Sequence, residues 1–238
     1  MFFFFPLQGF LLENLKSINL NTSLSITILP DLCAPNLEEL DISYCENLIE
    51  IHEAIGSLEK LKCWNLVGCK KLQILPSSFR LKSLECIYLH DCVSLETLPD
   101  LGAPNLRDLT ISDCENLIEI HEAYGSLDKL VNFEVHNCKK LQILPNTHRL
   151  KSLEFLTVNC CVSLEKFPNI HPEMKCGRLF FVDSNIREWP LSLKYLISGL
   201  THLSLDNCQN VRDFLVSISG CKFTNLRELT VYDCDGHN

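Results

Sequence analysis

Positive charge and several compact motifs are scarce in this sequence. Lys and Arg number 21 against 30 Asp and Glu, and the net charge of −9 excludes binding to nucleic acid or to an anionic membrane through bulk electrostatics. The sequence contains no C-x-x-C pair and no G-x-x-x-x-G-K-[ST] phosphate-binding loop. It therefore carries neither a Cys-x-x-Cys redox or metal motif nor a nucleotide switch of its own.

Catalytic signatures are also missing. His52 and His121 each precede a glutamate, but Gly56 and Gly125 stand where an H-E-x-x-H zinc motif requires its second histidine. We interpret both histidines as parts of equivalent surface turns. No Ser/His/Asp set and no isolated carboxylate pair stands out. We therefore expect no enzymatic activity, no catalytic residue, no cofactor and no metal.

The first fourteen residues are apolar but lack the features of an export signal. They have no basic segment, and the apolar run is too short for a membrane span. We expect residues 1–14 to be an apolar edge on a domain that occupies residues 15–238. A single N-x-[ST] sequon, at Asn21, and free thiols at structural positions favour a reducing compartment. We expect a cytoplasmic location, with the nucleus as a second compartment.

A nine-residue frame, L-x-x-L-x-L-x-x-C, recurs ten times with slight variation. Its ninth positions are Ser23, Cys45, Cys69, Cys92, Cys114, Cys138, Cys161, Ser184, Cys208 and Cys234, spaced 22 to 26 residues apart. Apolar residues at positions four and six alternate with period two, so each frame predicts a short strand whose x residues point outward. This spacing is the leucine-rich repeat pattern.

The segments between the frames predict the outer side of a solenoid. Leu-Pro recurs there, as at Leu75-Pro76 and Leu98-Pro99, and proline disfavours a regular helix. Two copies allow a short helical turn stopped by Gly56 or Gly125. The predicted fold is an α/β leucine-rich repeat solenoid of about ten repeats. Its parallel sheet forms a concave face, and its convex side is irregular, 3₁₀ or briefly helical.

The cysteines follow the repeat. Eight occupy the turn at the ninth position, where a buried thiol can donate to a backbone carbonyl: Cys45, Cys69, Cys92, Cys114, Cys138, Cys161, Cys208 and Cys234. Cys176 takes a core leucine position. Cys63 and Cys86 share the third position of adjacent strands, within disulfide reach. We interpret this pair as free neighbouring thiols, and a redox or metal role is the alternative.

An internal duplication compares one half of the chain with the other. Residues 34–98 match residues 103–167 at 41 of 65 positions, and 17 of the 24 differences fall in the strand frames. Apolar frame positions change conservatively and x positions change in kind. We predict that the outward face binds a neutral-to-basic protein surface, and drift of exposed residues or recent gene conversion is the alternative. The candidate contact residues are Glu39, Asp41, Tyr44, Lys62, Asn65, Tyr88, His90, Asp91, Asp108, Thr110, Asp113, Asn132, Glu134, His136, Thr157 and Asn159.

The segments "APNLEELDISYCENLIEIHEAIGSLEKL", "GCKKLQILPSSFRLKSLE" and "CVSLETLPDLGAPNL" resemble a known family. They look like the leucine-rich repeat region of plant intracellular nucleotide-binding leucine-rich repeat disease-resistance receptors, most closely the subclass with an N-terminal Toll/interleukin-receptor domain. The resemblance implies a module that recognises a pathogen effector or a guarded host protein, or that restrains a nucleotide-binding domain. The missing phosphate-binding loop means that this chain would be the sensor part alone.

Two other classes of protein use similar repeats. Substrate-recognition subunits of ubiquitin ligases also have cysteine-ended repeats, but their period is near 26 residues, whereas most steps here are 22 to 24. An extracellular receptor would need a signal peptide, a cysteine cap and many sequons. We therefore prefer the immune receptor and retain the ubiquitin-ligase reading as the alternative.

Overall fold

The computed structural model of the chain describes residues 10–77, 79–147, 149–208 and 210–234, which form two compact units with a boundary after Leu117. In the first unit the strands are β1 (Ser17–Asn19), β2 (Ile28–Leu29), β3 (Glu39–Asp41), β4 (Glu50–Ile51), β5 (Cys63–Asn65), β6 (Cys86–His90), β7 (Thr97–Leu98) and β8 (Asp108–Ser112), with one 3₁₀ turn, Glu53–Ser57. In the second unit the strands are β9 (Glu119–Ile120), β10 (Asn132–His136), β11 (Phe155–Asn159), β12 (Arg178–Val182), β13 (His202–Asp206) and β14 (Glu228–Tyr232). This unit also has 3₁₀ turns at Glu122–Ser126 and Leu191–Leu193 and the helices α1 (Lys194–Ile197) and α2 (Val211–Ser217).

One strand from each frame forms the main sheet of each unit. The order is β1-β3-β5-β6-β8 in the first unit and β10-β11-β12-β13-β14 in the second, and every pair is parallel. Equal frame positions face each other: Glu39 pairs with Cys63, and Phe155 pairs with Arg178. Differences in repeat length are therefore absorbed outside the strands, and the frames stay in register.

The buried side of each sheet is built from frame positions one, four, six and nine. In the second frame Leu37, Leu40, Ile42 and Cys45 are at most 1% exposed. The last frame differs, because Leu229 is 58% exposed, and no following repeat covers it in the described part of the chain. The stacking of neighbouring repeats therefore accounts for most of the burial.

The outer segments are irregular, as the Leu-Pro pairs predict. The two predicted helical turns form as 3₁₀ turns, Glu53–Ser57 and Glu122–Ser126. The expectation that glycine stops them is wrong, because Gly56 and Gly125 are buried inside the turns and neither has a positive φ. A Cβ atom at Gly56 would lie 2.7 Å from the Phe79 Cα atom, so close packing, not termination, requires glycine here.

Helix α2 replaces the Leu-Pro segment of the earlier repeats. No proline occurs between Cys208 and Leu226, and Val211, Phe214 and Ile218 recur at helical spacing and are at most 5% exposed. The loss of proline and this amphipathic spacing explain why the outer side becomes helical here.

Candidate protein-binding face

Frame positions three, five and seven point away from the buried side of each main sheet, and we call these residues the sheet face. In β6, Ile87 and Leu89 are buried while Tyr88 and His90 are exposed. The predicted contact residues at these positions are Glu39, Asp41, Asn65, Tyr88, His90, Asp108 and Thr110 in the first unit, and Asn132, Glu134, His136, Thr157 and Asn159 in the second. All are exposed or half-buried except Thr157, which is 9% exposed and pairs with Phe180 of the next strand.

The other four predicted contact residues flank the strands. Lys62 occupies the second frame position, whereas Tyr44, Asp91 and Asp113 occupy the eighth. Tyr44 and Lys62 are exposed, and the two aspartates are half-buried. The sixteen residues therefore form three rows, of which only the middle one lies on the strands themselves.

The eighth position has a conformational role that the sequence analysis missed. Its residue has a positive φ, between 46° and 72°, in all ten frames. The residues are Thr22, Tyr44, Gly68, Asp91, Asp113, Asn137, Cys160, Asp183, Asn207 and Asp233. Seven of them are Gly, Asn or Asp, the residue types that tolerate this left-handed conformation best. Changes at this position between the duplicated copies therefore reflect the turn, and the evidence for binding rests on positions three, five and seven.

Gly68 illustrates this constraint. A Cβ atom there would lie 2.6 Å from Cδ1 of Tyr44, so the large ring of one turn requires glycine in the next. The second copy has Asp113 and Asn137 at the same two positions. We expect Gly68→Asn to destabilise the protein by about 1 to 2 kcal/mol, because the added side chain displaces the Tyr44 ring. Adding Tyr44→Asp should recover most of this loss in urea denaturation. Purely additive effects in the double variant would contradict the coupling.

Two predicted contact residues also shorten their strands. Asp41 Oδ1 accepts a hydrogen bond from the Ser43 backbone N–H at 2.9 Å, and Asn65 Oδ1 accepts one from the Val67 N–H at 3.1 Å. Such local bonds compete with regular strand geometry, and β3 and β5 have three residues where β6, with Tyr88 at this position, has five. Part of the hydrogen-bonding capacity of Asp41 and Asn65 is therefore used within the turn.

Ion pairs modify the acidic character of the first unit. Glu38 accepts hydrogen bonds from Lys16 at 2.7 Å and from Lys62 at 2.6 Å, and these two ammonium groups lower the pKa of Glu38 to about 2. His90 lies 3.2 Å from Asp113, and Lys70 lies 3.7 Å from Asp91. Lys62 is thus partly neutralised by Glu38, which leaves the sheet face itself more acidic than a count of charges suggests.

Glu38 predicts a defined pH dependence. Its folded-state pKa of about 2 is below the ordinary value of 4.5, so its charge stabilises the folded state above pH 4.5, and this contribution is lost as the pH falls toward 2. We expect Glu38→Gln to lower the thermal midpoint slightly at pH 7, because Glu38 is exposed and solvent screens the pairs. The difference from the unmodified protein should shrink below pH 4.5 in thermal melts. A gap that widens toward acid pH would contradict this assignment.

The second unit carries an aromatic patch on its sheet face that the sequence analysis did not select. It consists of Phe155, Arg178, Phe180 and Val182, and the Arg178 guanidinium carbon lies 4.7 Å from the centre of the Phe155 ring. Aromatic residues and arginine are enriched where protein interfaces have their strongest contacts. The signal was present at frame positions three, five and seven, but most of these residues follow the duplicated block on which the selection concentrated.

The ninth-position thiols lie inside the stack and bond to the preceding repeat. The Cys69 Sγ–H donates to the Ile42 carbonyl at 3.2 Å, and Cys92 does the same to Leu66 at 3.2 Å. Equivalent bonds from Cys45, Cys114, Cys161, Cys208 and Cys234 reach the carbonyls of Leu20, Leu89, Val135, Phe181 and Leu205. Each acceptor is the sixth residue of the previous frame, so the thiol partners a carbonyl where the chain leaves the strand.

Cys63 and Cys86 lie side by side in β5 and β6. Their residues pair in register, and their Sγ atoms are 2.7 Å apart, with both sulfurs present as thiols. Burial, followed by the neighbouring Cys86 thiol, raises the pKa of Cys63 to about 12. A high pKa leaves little thiolate at neutral pH, which makes this pair slow to react.

His52 and His121 have a local structural role. Nδ1 of each ring accepts a hydrogen bond of 3.1 Å from the backbone N–H of Ala54 or Ala123 at the start of a 3₁₀ turn. Among the residues that the structure describes, no group of three His, Cys, Asp or Glu side chains is arranged to bind a metal ion. No helix in this part of the chain has the length and apolarity to cross a membrane.

The chain is similar over nearly its whole length to plant resistance proteins. It is 32% identical to Protein SUPPRESSOR OF npr1-1, CONSTITUTIVE 1 of Arabidopsis thaliana over 98% of the chain and 15% of that protein. It is 29% identical to Disease resistance protein RPS6 of Arabidopsis thaliana over 94% of the chain and 23% of that protein. With TMV resistance protein N of Nicotiana glutinosa, it is 35% identical over 65% of the chain and 13% of that protein. The chain thus spans less than a quarter of the length of these relatives.

A solved structure confirms the predicted fold. The leucine-rich repeat domain of the type III effector XCV3220 (XopL) superimposes with a TM-score of 0.60 at 20% identity, covering 94% of this chain and 77% of that domain. No protein-family model matches the sequence. The in-register parallel strands, the structural match and the relatives lead to one conclusion. This chain is a leucine-rich repeat region homologous to plant nucleotide-binding leucine-rich repeat disease resistance proteins of the Toll/interleukin-receptor subclass.

Proposed function

We propose that the sheet face is a protein-recognition surface that acts in plant innate immunity. The observation that carries this proposal is the uneven change between the duplicated copies. At frame positions three, five and seven, eight of nine residues differ, whereas at the buried positions one, four, six and nine only four of twelve differ, each by one apolar residue for another. Exposure alone does not account for the contrast, because exposed outer residues such as His52, Gln73 and Ile74 are identical in both copies.

The proposed partner is a pathogen effector, a guarded host protein or a nucleotide-binding domain that the repeats restrain. Glu39, Asp108 and Glu134 give the sheet face an acidic character, which favours a neutral-to-basic partner surface. The aromatic patch of the second unit supplies apolar anchors beside this charge. The net charge of −9 disfavours nucleic acid and anionic membranes as partners.

The thiols favour a reducing compartment, and we place the chain in the cytoplasm, with the nucleus as a second location. Seven ninth-position thiols donate their protons to buried carbonyls. A disulfide would remove that proton and leave the carbonyl without its donor.

Neutralising three carboxylates of the candidate face tests the proposal. The substitutions are Asp91→Asn, Asp113→Asn and Glu134→Gln, and asparagine already occupies the left-handed position at Asn137 and Asn207. With a protein partner identified from a panel of pathogen-secreted and host proteins, we expect association at low salt to slow by roughly 3- to 10-fold. The difference should shrink as salt is added.

A matched control carries the same change in charge elsewhere. Glu96→Gln, Asp128→Asn and Glu165→Gln alter three exposed carboxylates outside the frames. This control should bind like the unmodified chain. An unchanged association rate in the sheet-face variant, or equal slowing in the control, would overturn the proposed function.

A further inference from the structure

A second apolar surface lies on the outer segments, away from the sheet face. In the first unit Ile49, His52, Ile74 and Pro76 line an open groove of about 520 Å³. Ile49 is 44% exposed and Ile74 is 69% exposed. Large aliphatic side chains at this exposure gain little from folding, so the core does not explain their presence.

The second unit repeats this groove residue by residue. Every lining residue has an identical counterpart 69 positions later, including Ile118, His121, Ile143 and Pro145. Ile118 is 39% exposed and Ile143 is 55% exposed. The two sites have the same chemistry and a similar exposure.

Backbone contacts hold both grooves in the same geometry. The Gln73 N–H donates to the Ile49 carbonyl at 3.3 Å, and the Gln142 N–H donates to the Ile118 carbonyl at 3.0 Å. Parallel bridges join Glu50 to Ile74 and Glu119 to Ile143. The exposed isoleucines therefore sit on rigid, paired backbone in each unit.

The charge beside the first groove indicates what it binds. Glu50 and Glu53 line it and are exposed, and neither forms an ion pair with any residue in the described part of the chain. The nearby Lys70 is already paired with Glu46 at 2.9 Å. Carboxylates beside an apolar groove favour a segment that presents an apolar side chain next to a lysine or arginine.

The duplication separates this surface from the sheet face. Eight of nine sheet-face residues changed between the copies, yet both exposed isoleucines and both glutamates of each groove were kept. We propose that the two grooves are equivalent docking sites for an extended basic and apolar peptide segment, so that one chain binds two such segments. This inference does not depend on a partner at the sheet face.

Titration calorimetry with a defined peptide tests the proposal. The probe is an acetylated and amidated Leu-Lys-Leu-Lys tetrapeptide, and the control probe is Leu-Glu-Leu-Glu, which has the same apolar content and the opposite charge. We expect two equal sites per chain for the lysine peptide and at least tenfold weaker binding of the glutamate peptide. A stoichiometry other than two, or equal affinity for both peptides, would overturn the proposal.

The two copies provide matched variants. Ile49→Ser with Ile74→Ser should reduce the stoichiometry to one, and Ile118→Ser with Ile143→Ser should do the same. All four changes together should abolish binding, and thermal melts should show that these exposed changes leave the fold intact. Glu50→Gln with Glu53→Gln, which keeps the apolar floor, should weaken binding to the first site several-fold. The variant with Asp91→Asn, Asp113→Asn and Glu134→Gln should still bind two peptides. This control separates failure of the grooves from failure of the sheet-face function.

Discussion

Replacing Trp64 with alanine is expected to lower the free energy of unfolding by about 3 to 5 kcal/mol. Trp64 is fully buried at the fourth frame position, between Leu40 and Ile87 in the register of the sheet, and its ring lies 5.7 Å from that of Phe79. Small domains are stable by only about 5 to 15 kcal/mol, so this loss should remove much of the stability of the first unit. Urea denaturation followed by circular dichroism measures it.

Two controls separate cavity formation from general sensitivity. Trp64→Phe, which introduces the residue that the second copy has at Phe133, should cost far less. The Trp64 Nε1–H is buried and has no hydrogen-bond partner among the described residues, and phenylalanine removes that unpaired donor. Leu229→Ala changes the same frame position where it is 58% exposed and should cost under about 1 kcal/mol. A loss at Leu229 as large as that at Trp64 would contradict the stacking model of burial.

Replacing Gly125 with alanine is expected to cost about 2 to 3 kcal/mol or more. The added Cβ atom would lie 1.7 Å from the Asn146 carbonyl oxygen, a backbone atom that cannot move without displacing its segment. Gly125 has no positive φ, so this cost comes from overlap and not from backbone strain. Thermal or urea denaturation of the variant measures it.

The matched comparison uses neighbouring and duplicated positions. Asp128→Ala, at an exposed residue of the same segment, should change stability by less than about 0.5 kcal/mol. Gly56→Ala should also destabilise, because its Cβ atom would meet the Phe79 backbone at 2.7 Å. A neutral Gly125→Ala variant would contradict the close packing of the 3₁₀ turn against the next repeat.

The repeat pattern determined most of the fold in advance, and the reason is physical. Alternation at frame positions four and six sets which face of each strand is buried, and a slip by one residue would expose residues such as Leu40 and Ile42. The frames therefore predicted register as well as strand position. Lengths were less predictable, because β3 and β5 are shortened by the side chains of Asp41 and Asn65, a competition between local bonds and the strand.

The candidate face was predictable in its position but not in its chemistry. The preference for Gly, Asn and Asp at the eighth position was visible in the sequence, yet its cause is a backbone angle that a side-chain pattern does not show. The pairing of Arg178 with Phe155 depends on two neighbouring strands, 23 residues apart in sequence. Gly125 was misread as a helix stop because the contact with Asn146 comes from the next repeat.

Hydroxyl-radical footprinting of the chain bound to a protein partner tests the proposed binding position most directly. Tyr88, Phe155 and Phe180 lie on the sheet face, and Leu191 and Tyr195 are exposed on an outer segment. The proposed function predicts that oxidation of the first three residues falls on complex formation while oxidation of Leu191 and Tyr195 stays unchanged. Protection of Leu191 and Tyr195, with Tyr88, Phe155 and Phe180 oxidised as in the free chain, would contradict it.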